Sequence, residues 1–161
     1  MEGNKIENFT LNGIDEHGRE RKFTLKELFG DRSQLVLYFY PKDNTPGCTM
    51  EACNFKENLN RILPYASVAG VSADPIESHK RFREKYGLNF PLLSDPQLSV
   101  IKELGAYGEK NMYGKKIKGI IRSTFVLAKN GKIVKEWRNV KVNGHIDEVI
   151  NFLKEKKLDK I

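Results

Sequence analysis

The amino-acid sequence predicts an α/β fold, with a mixed central sheet flanked by helices on both faces. Three observations carry this expectation. The apolar and aromatic run at 35–40 stops at Pro41 and is too short for a helix, so it reads as a central strand buried on both faces. A second apolar run at 67–72 is separated from the first by a helical stretch, which makes a right-handed β-α-β unit with a parallel strand pair. Near the C-terminus, Asn130-Gly131 lies between two strand-like segments and signals a tight antiparallel hairpin.

The elements follow in order. Residues 42–47 form a turn-rich loop, and Thr45 followed by Pro46 reads as an N-cap with proline at the first helical position. The helix that starts there is expected to run from about 48 to 63. After the strand at 67–72, Asp74 reads as the next N-cap, with Pro75 at the first position and Glu77 closing a capping box, and that helix should end at Gly87. A further helix is expected from Asp95-Pro96 to Gly105, followed by an insertion. Strands at 123–127 and 133–137 flank the Asn130-Gly131 turn. An amphipathic helix at about 146–157 then places Ile146, Val149, Ile150 and Leu153 on one face. From Leu35 onward the order is βαβα, insertion, ββα. This is the thioredoxin-like arrangement, here with an N-terminal β-hairpin extension around 9–11 and 21–25.

The length of 161 residues fits one domain, 1–161, large enough to bury its own core without disulfides or metals. The formal charge of +7 permits weak attraction to anions. The lysines at 115, 116 and 118 and from 154 to 160 lack the interleaved aromatic and glycine residues of nucleic-acid modules, so they read as solvated faces and no nucleic acid is expected. No apolar run approaches the roughly 20 residues of a membrane span, and the first residues lack a secretory pattern. Cytoplasmic location and no membrane partner are the expectations. In a reducing compartment, two cysteines are more often inert or redox-active than a structural disulfide.

Cys48 falls just after the first core strand, at the start of a helix, where reactive groups collect in open α/β sheets. With Thr45 as N-cap it occupies the third helical position, where free N–H groups and the helix dipole favour an anion. A free thiol of pKa near 8.5 is only a few per cent thiolate at neutral pH. The dipole supplies about 0.3–1 kcal/mol, too little to make a thiol mostly anionic, so a cation or several hydrogen bonds must contribute the rest. Arg122, immediately before the strand at 123–127, is the candidate. Glu51 is a candidate for orienting Arg122, but an acidic residue near a helix start is already favoured by the dipole, and that plainer role ranks first. Tyr40 and Phe39 read as core.

The run Phe39-Tyr40-Pro41-Lys42-Asp43-Asn44-Thr45-Pro46-Gly47-Cys48-Thr49-Met50-Glu51-Ala52-Cys53 closely resembles the peroxiredoxins of the bacterioferritin-comigratory, or Q, type. It holds the pattern Pro-x-x-x-Thr-x-x-Cys as Pro41, Thr45 and Cys48. The similarity continues through 70–74, 90–95, 122–125 and 140–145, and Glu7 stands where relatives often carry proline. The resemblance implies a thiol peroxidase acting on hydrogen peroxide and alkyl hydroperoxides. In it Cys48 is the nucleophile, Thr45 and Arg122 bind the peroxide oxygens, and Pro41 shields the thiolate. No flavin, haem or metal cofactor is implied. It also implies a monomer, and thioredoxin or a related dithiol protein as reductant.

Cys53 lies five positions after Cys48, about 7.5 Å of rise and 140° of rotation on an intact helix, too far and too divergent for a disulfide. From the residues alone it reads as a small buried hydrophobe. The resemblance makes it the resolving cysteine, which requires the segment around 45–55 to unwind. A general thiol-disulfide oxidoreductase is the alternative function, weakened by the absence of Cys-x-x-Cys. Metal binding by the cysteines with His17, His79 or His145 lacks the expected spacing. His145 reads as a capping or surface residue.

Overall fold

The computed structural model describes residues 2–158. A hairpin comes first, β1 (Thr10–Ile14) and β2 (Glu20–Thr24), joined through a turn in which Asp15 accepts from the His17 and Arg19 amides. A short helix, α1 (Leu25–Phe29), follows. Thr24 and Glu27 cap it reciprocally, a capping box that the sequence reading passed over. The central strand β3 (Gln34–Phe39) leads to α2 (Pro46–Glu57), α3 (Leu59–Ile62), β4 (Ser67–Ser72), α4 (Ile76–Tyr86), β5 (Leu92–Ser94) and α5 (Ser99–Glu103). A hairpin of β6 (Tyr107–Met112) and β7 (Lys115–Ile120), then β8 (Ser123–Ala128), β9 (Ile133–Arg138) and α6 (His145–Leu158), complete the chain.

Seven strands form one sheet in the order β2-β1-β5-β4-β3-β8-β9. β3 pairs parallel to β4, and β4 to β5; every other pair is antiparallel, so the sheet is mixed as expected. β3 sits inside it and is wholly buried, and its alternate residues face opposite ways. Leu35, Leu37 and Phe39 join the core under α1 and α5, with Phe29, Ile101 and Phe125. Val36 and Tyr38 join the core under α2, α4 and α6, with Phe55, Phe82 and Ile150. Tyr38 stacks on Phe55 at 4.6 Å between ring centroids. Gly70 on β4 makes room for that ring, because a Cβ there would stand 2.8 Å from it.

Several helix boundaries differ from expectation. The helix expected to reach residue 63 breaks at Asn58, whose ψ of 8° leaves the helical range, and resumes as α3. Asp74 does not cap α4. Its carboxylate is occupied by the Asp43 amide and the Ser72 hydroxyl, and no side chain caps that helix, so the capping box with Glu77 does not form. The helix expected from Asp95 begins only at Ser99, after a turn in which Leu98 adopts φ of 61°. Asp95 still serves it at a distance, accepting from the Ser99 and Ile101 amides.

The expected insertion is the β6–β7 hairpin, closed by Tyr113 and Gly114 at φ of 52° and 78°. Two positive φ values in a two-residue loop match the twist of such hairpins. Lys115, Lys116 and Lys118 are exposed on it, as expected of a solvated face. The side chains beyond 155, with most of the C-terminal lysine cluster, lie outside the described part. Among the described residues no helix is long and apolar enough to cross a membrane.

Candidate active site

The pairing of β3 with β8 brings the site together. Phe39, the last residue of β3, lies opposite Ser123, the first of β8, so the residue before β8 and the loop after β3 are neighbours in space. Arg122 precedes β8 and Pro41 begins the loop. α2 then starts at Pro46 with Thr45 as N-cap, which puts Cys48 at the third helical position, only 1% exposed.

Arg122 Nη2 donates to Cys48 Sγ at 3.4 Å, and Nη1 donates to Glu51 Oε1 at 2.7 Å. One guanidinium thus bridges the thiol and a carboxylate one helical turn further on. Gly47 permits this approach, since a Cβ there would sit 3.1 Å from Arg122 Nη2. Glu51 is therefore a partner of Arg122, which corrects the ranking given to it above. It lies in the second turn of α2, where the dipole has largely decayed, and the first turn holds no acidic residue.

The pair is asymmetric. Burial raises the Glu51 carboxyl from 4.5 to about 7, against the opposing pull of Arg122. The guanidinium loses some of its preference for charge to desolvation but gains more from Glu51 and Cys48, so its pKa rises. Glu51 Oε2 is buried without a hydrogen-bond partner, so the carboxylate bears most of the desolvation cost. Between about pH 4.5 and 7 the native protein therefore holds a proton that the unfolded chain releases. This contribution to stability is complete below the unfolded pKa and is lost as pH rises through the folded one. Urea unfolding of wild type relative to Glu51→Gln should show the difference in unfolding free energy falling by roughly 3 kcal/mol from acid to alkaline pH. A difference independent of pH would contradict it.

Thr45 occupies the N-cap position but does not cap. Its hydroxyl donates to the Lys42 carbonyl at 2.9 Å, and the helix start has no side-chain cap. The oxygen keeps its lone pairs as acceptors. A cavity of about 540 Å³ opens here, lined by Pro41, Thr45, Cys48 and Arg122 together with Lys110 and Ile120 of the hairpin. Four of the five site residues expected from the sequence thus share one cavity. Cys53 does not line it. It lies half-buried further along α2, and burial pushes its thiol pKa up.

The sequence reading missed Lys110. Its ammonium donates to the Ile120 carbonyl at 2.9 Å, and burial first, then the Arg122 charge, lower its pKa. It also misplaced His145, which is 3% exposed, with Nε2 2.8 Å from Thr124 Oγ1. Burial lowers its pKa. A second cavity, about 370 Å³, lies at the opposite end of the parallel strands among Phe23, Arg32, Leu63, Val68 and Phe90, and contains neither cysteine. Among the described residues no three His, Cys, Asp or Glu side chains are grouped to hold a metal ion.

Comparison with known proteins identifies the family. The model of the AhpC/TSA family matches residues 3–136. Peroxiredoxin Bcp of Bacillus subtilis is 41% identical over 154 residues, 95% of this chain and 94% of the relative. A cysteine-to-serine mutant of Xylella fastidiosa PrxQ superposes with a TM-score of 0.87 at 38% identity, covering 98% of this chain and 97% of that one. The Xanthomonas campestris bacterioferritin comigratory protein, solved as a trapped intermediate/ligand complex in a study of alkyl peroxide reduction, gives 0.80 at 41%, covering 91% of each chain. A thiol bridged by arginine to a buried carboxylate at a helix start, on a thioredoxin-like sheet, stands here in a chain similar to these relatives along nearly its whole length. The chain belongs to the AhpC/TSA family, as a peroxiredoxin of the bacterioferritin-comigratory or Q type, and is a peroxidase.

Proposed function

We propose that Cys48 is the peroxidatic nucleophile and Cys53 the resolving cysteine of a cycle closed by a thioredoxin-like dithiol protein. The observation that carries the first half is the Arg122 guanidinium on the Cys48 sulfur. A guanidinium at that distance favours the thiolate and remains to stabilise charge that develops on a peroxide oxygen. Cys48 Sγ attacks the terminal oxygen of a hydroperoxide. An S–O bond forms, the O–O bond breaks, sulfur loses two electrons, and the departing alkoxide or hydroxide takes up a proton to leave as alcohol or water.

Arg122 donates to the peroxide, and Thr45, its own proton committed to Lys42, accepts from the peroxide hydroxyl. Pro41 covers the thiolate. The cavity exceeds what hydrogen peroxide fills, at about 30 Å³ per water-sized group, so alkyl hydroperoxides are substrates as well.

The Cys53 thiol then displaces water from the Cys48 sulfenic acid to give a disulfide, after α2 has opened. A reduced dithiol protein attacks that disulfide and restores both thiols. The enzyme works as a monomer in the cytoplasm.

The test is mass spectrometry after one equivalent of peroxide. The expected product is the intact chain less two hydrogens, with Cys48 and Cys53 in one linked peptide. Persistent sulfenic acid on Cys48 beside an unmodified Cys53 would remove Cys53 from the cycle.

A further inference from the structure

The loop that carries Pro41 and Thr45 contains a residue in an unfavourable conformation. Asn44 has φ of 61°, a left-handed geometry that costs an L-residue about 1 kcal/mol even where asparagine softens it. Such a loop keeps its shape only if its surroundings hold it. Here the hold comes from α4 and β5. Tyr40 hydroxyl donates to Asp43 Oδ1 at 2.6 Å, and Ser78 hydroxyl donates to Oδ2 at 2.8 Å. His79 Nδ1 meets the same Oδ2 at 2.7 Å, and its Nε2 meets the Leu93 carbonyl at 2.8 Å. The Asp43 amide is itself bound by Asp74, and Asn44 Oδ1 accepts from Tyr86 hydroxyl at 3.0 Å.

Proton accounting fixes the character of this anchor. The Leu93 carbonyl can only accept, so His79 Nε2 carries hydrogen, and a second hydrogen is shared between Nδ1 and Asp43 Oδ2. The side chains are 0% and 2% exposed, so the contact is a buried imidazole–carboxyl pair. Breaking a buried hydrogen-bonded pair is costly, because the partner left behind loses its hydrogen bond in a site closed to water.

The geometry points to Asp43 and His79 as positioning residues for peroxide reduction. They lock residues 41–45 to α4 so that Pro41 and Thr45 face Cys48, an inference that rests on the function proposed above. Neither touches Cys48 or Arg122, whose contact is built by α2, β8 and Glu51. Loss of the lock therefore impairs the peroxide step and leaves the thiolate as it was.

The experiment uses the full chain with Cys53→Ser, so that Cys48 is the only thiol and oxidation stops at the sulfenic acid. Stopped-flow oxidation by hydrogen peroxide and alkylation by iodoacetamide are measured with and without Asp43→Asn. Peroxide oxidation should slow about tenfold, as a misplaced positioning group would cause, with alkylation unchanged within about twofold. Equal loss in both reactions, or loss in neither, overturns the inference. Ser78→Ala, a gentler cut of the same anchor, should slow oxidation about threefold, and Ser78→Thr should restore it. If Asp43→Asn does not fold, the serine pair decides, and an unaltered Ser78→Ala or an absent rescue overturns it. A parent protein that ignores peroxide overturns the proposed function instead.

Discussion

Arg122→Ala should slow the reaction of Cys48 with hydrogen peroxide by about 10²–10³-fold, the usual cost of removing a donor aimed at developing charge. The loss has two parts. One is reactivity of the thiol, because the guanidinium is the cation that the helix start alone cannot replace. The other is the leaving oxygen, which loses its donor. Alkylation by iodoacetamide at neutral pH reports only the first part and should fall less than the peroxide rate. Arg122→Lys should recover a fraction, since an ammonium restores charge but cannot bond Cys48 and Glu51 together as the planar fork does. Stopped-flow rates for the three proteins provide the measurement, and an unaltered peroxide rate in the alanine variant would end the role given to Arg122.

Oxidation should also open α2. Both cysteines lie within its twelve residues, five positions apart, and a disulfide cannot join them while the helix is wound. The amides from Thr49 to Phe55 should therefore exchange with deuterium at least about 100-fold faster in the oxidised protein than in the reduced one, while β3 keeps its protection. Cys53→Ser should keep its protection after peroxide treatment. Unchanged exchange in the oxidised wild type would rule out an intrachain disulfide between these residues.

The start of α2 would offer little resistance to the proposed opening. Thr45 spends its hydroxyl on Lys42, and a missing cap forfeits about 1 kcal/mol. Gly47 in the first turn costs a similar amount. What holds α2 closed is its buried face of Cys48, Glu51, Ala52 and Phe55. The uncapped start also leaves the first amides of α2 without a side-chain partner, which in the proposed cycle would favour both an anion at Cys48 and the opening.

Legibility from sequence divides along sequence distance. Pro46, the Asn130-Gly131 turn and the apolar period of β3 act within a few residues, and each gave its element correctly. Arg122 was found because chemistry demanded a cation and the fold order placed its strand beside β3. Asp43 and His79 are 36 positions apart, Glu51 and Arg122 71, Thr124 and His145 21. No local pattern encodes these pairs; Asp43, His79 and Thr124 each read alone as ordinary polar residues, and Glu51 reads first as a helix-start acid. Asp74 failed as a cap for the same reason, since its carboxylate was claimed by a loop 31 residues away. The β6–β7 hairpin went unread because exposed lysines interrupt its alternation, although Tyr113-Gly114 marked the turn.

Among the described residues the strands of that hairpin pair only with each other, not with the seven-stranded sheet. Yet it forms one wall of the Cys48 cavity through Lys110, Asn111 and Ile120. Cys48 and this wall of its cavity are thus encoded in separate stretches of chain. Lys110 and Asn111 of that wall can be exchanged without disturbing the core, whereas Ile120 is buried in it, so only part of the cavity can be reshaped independently of the fold.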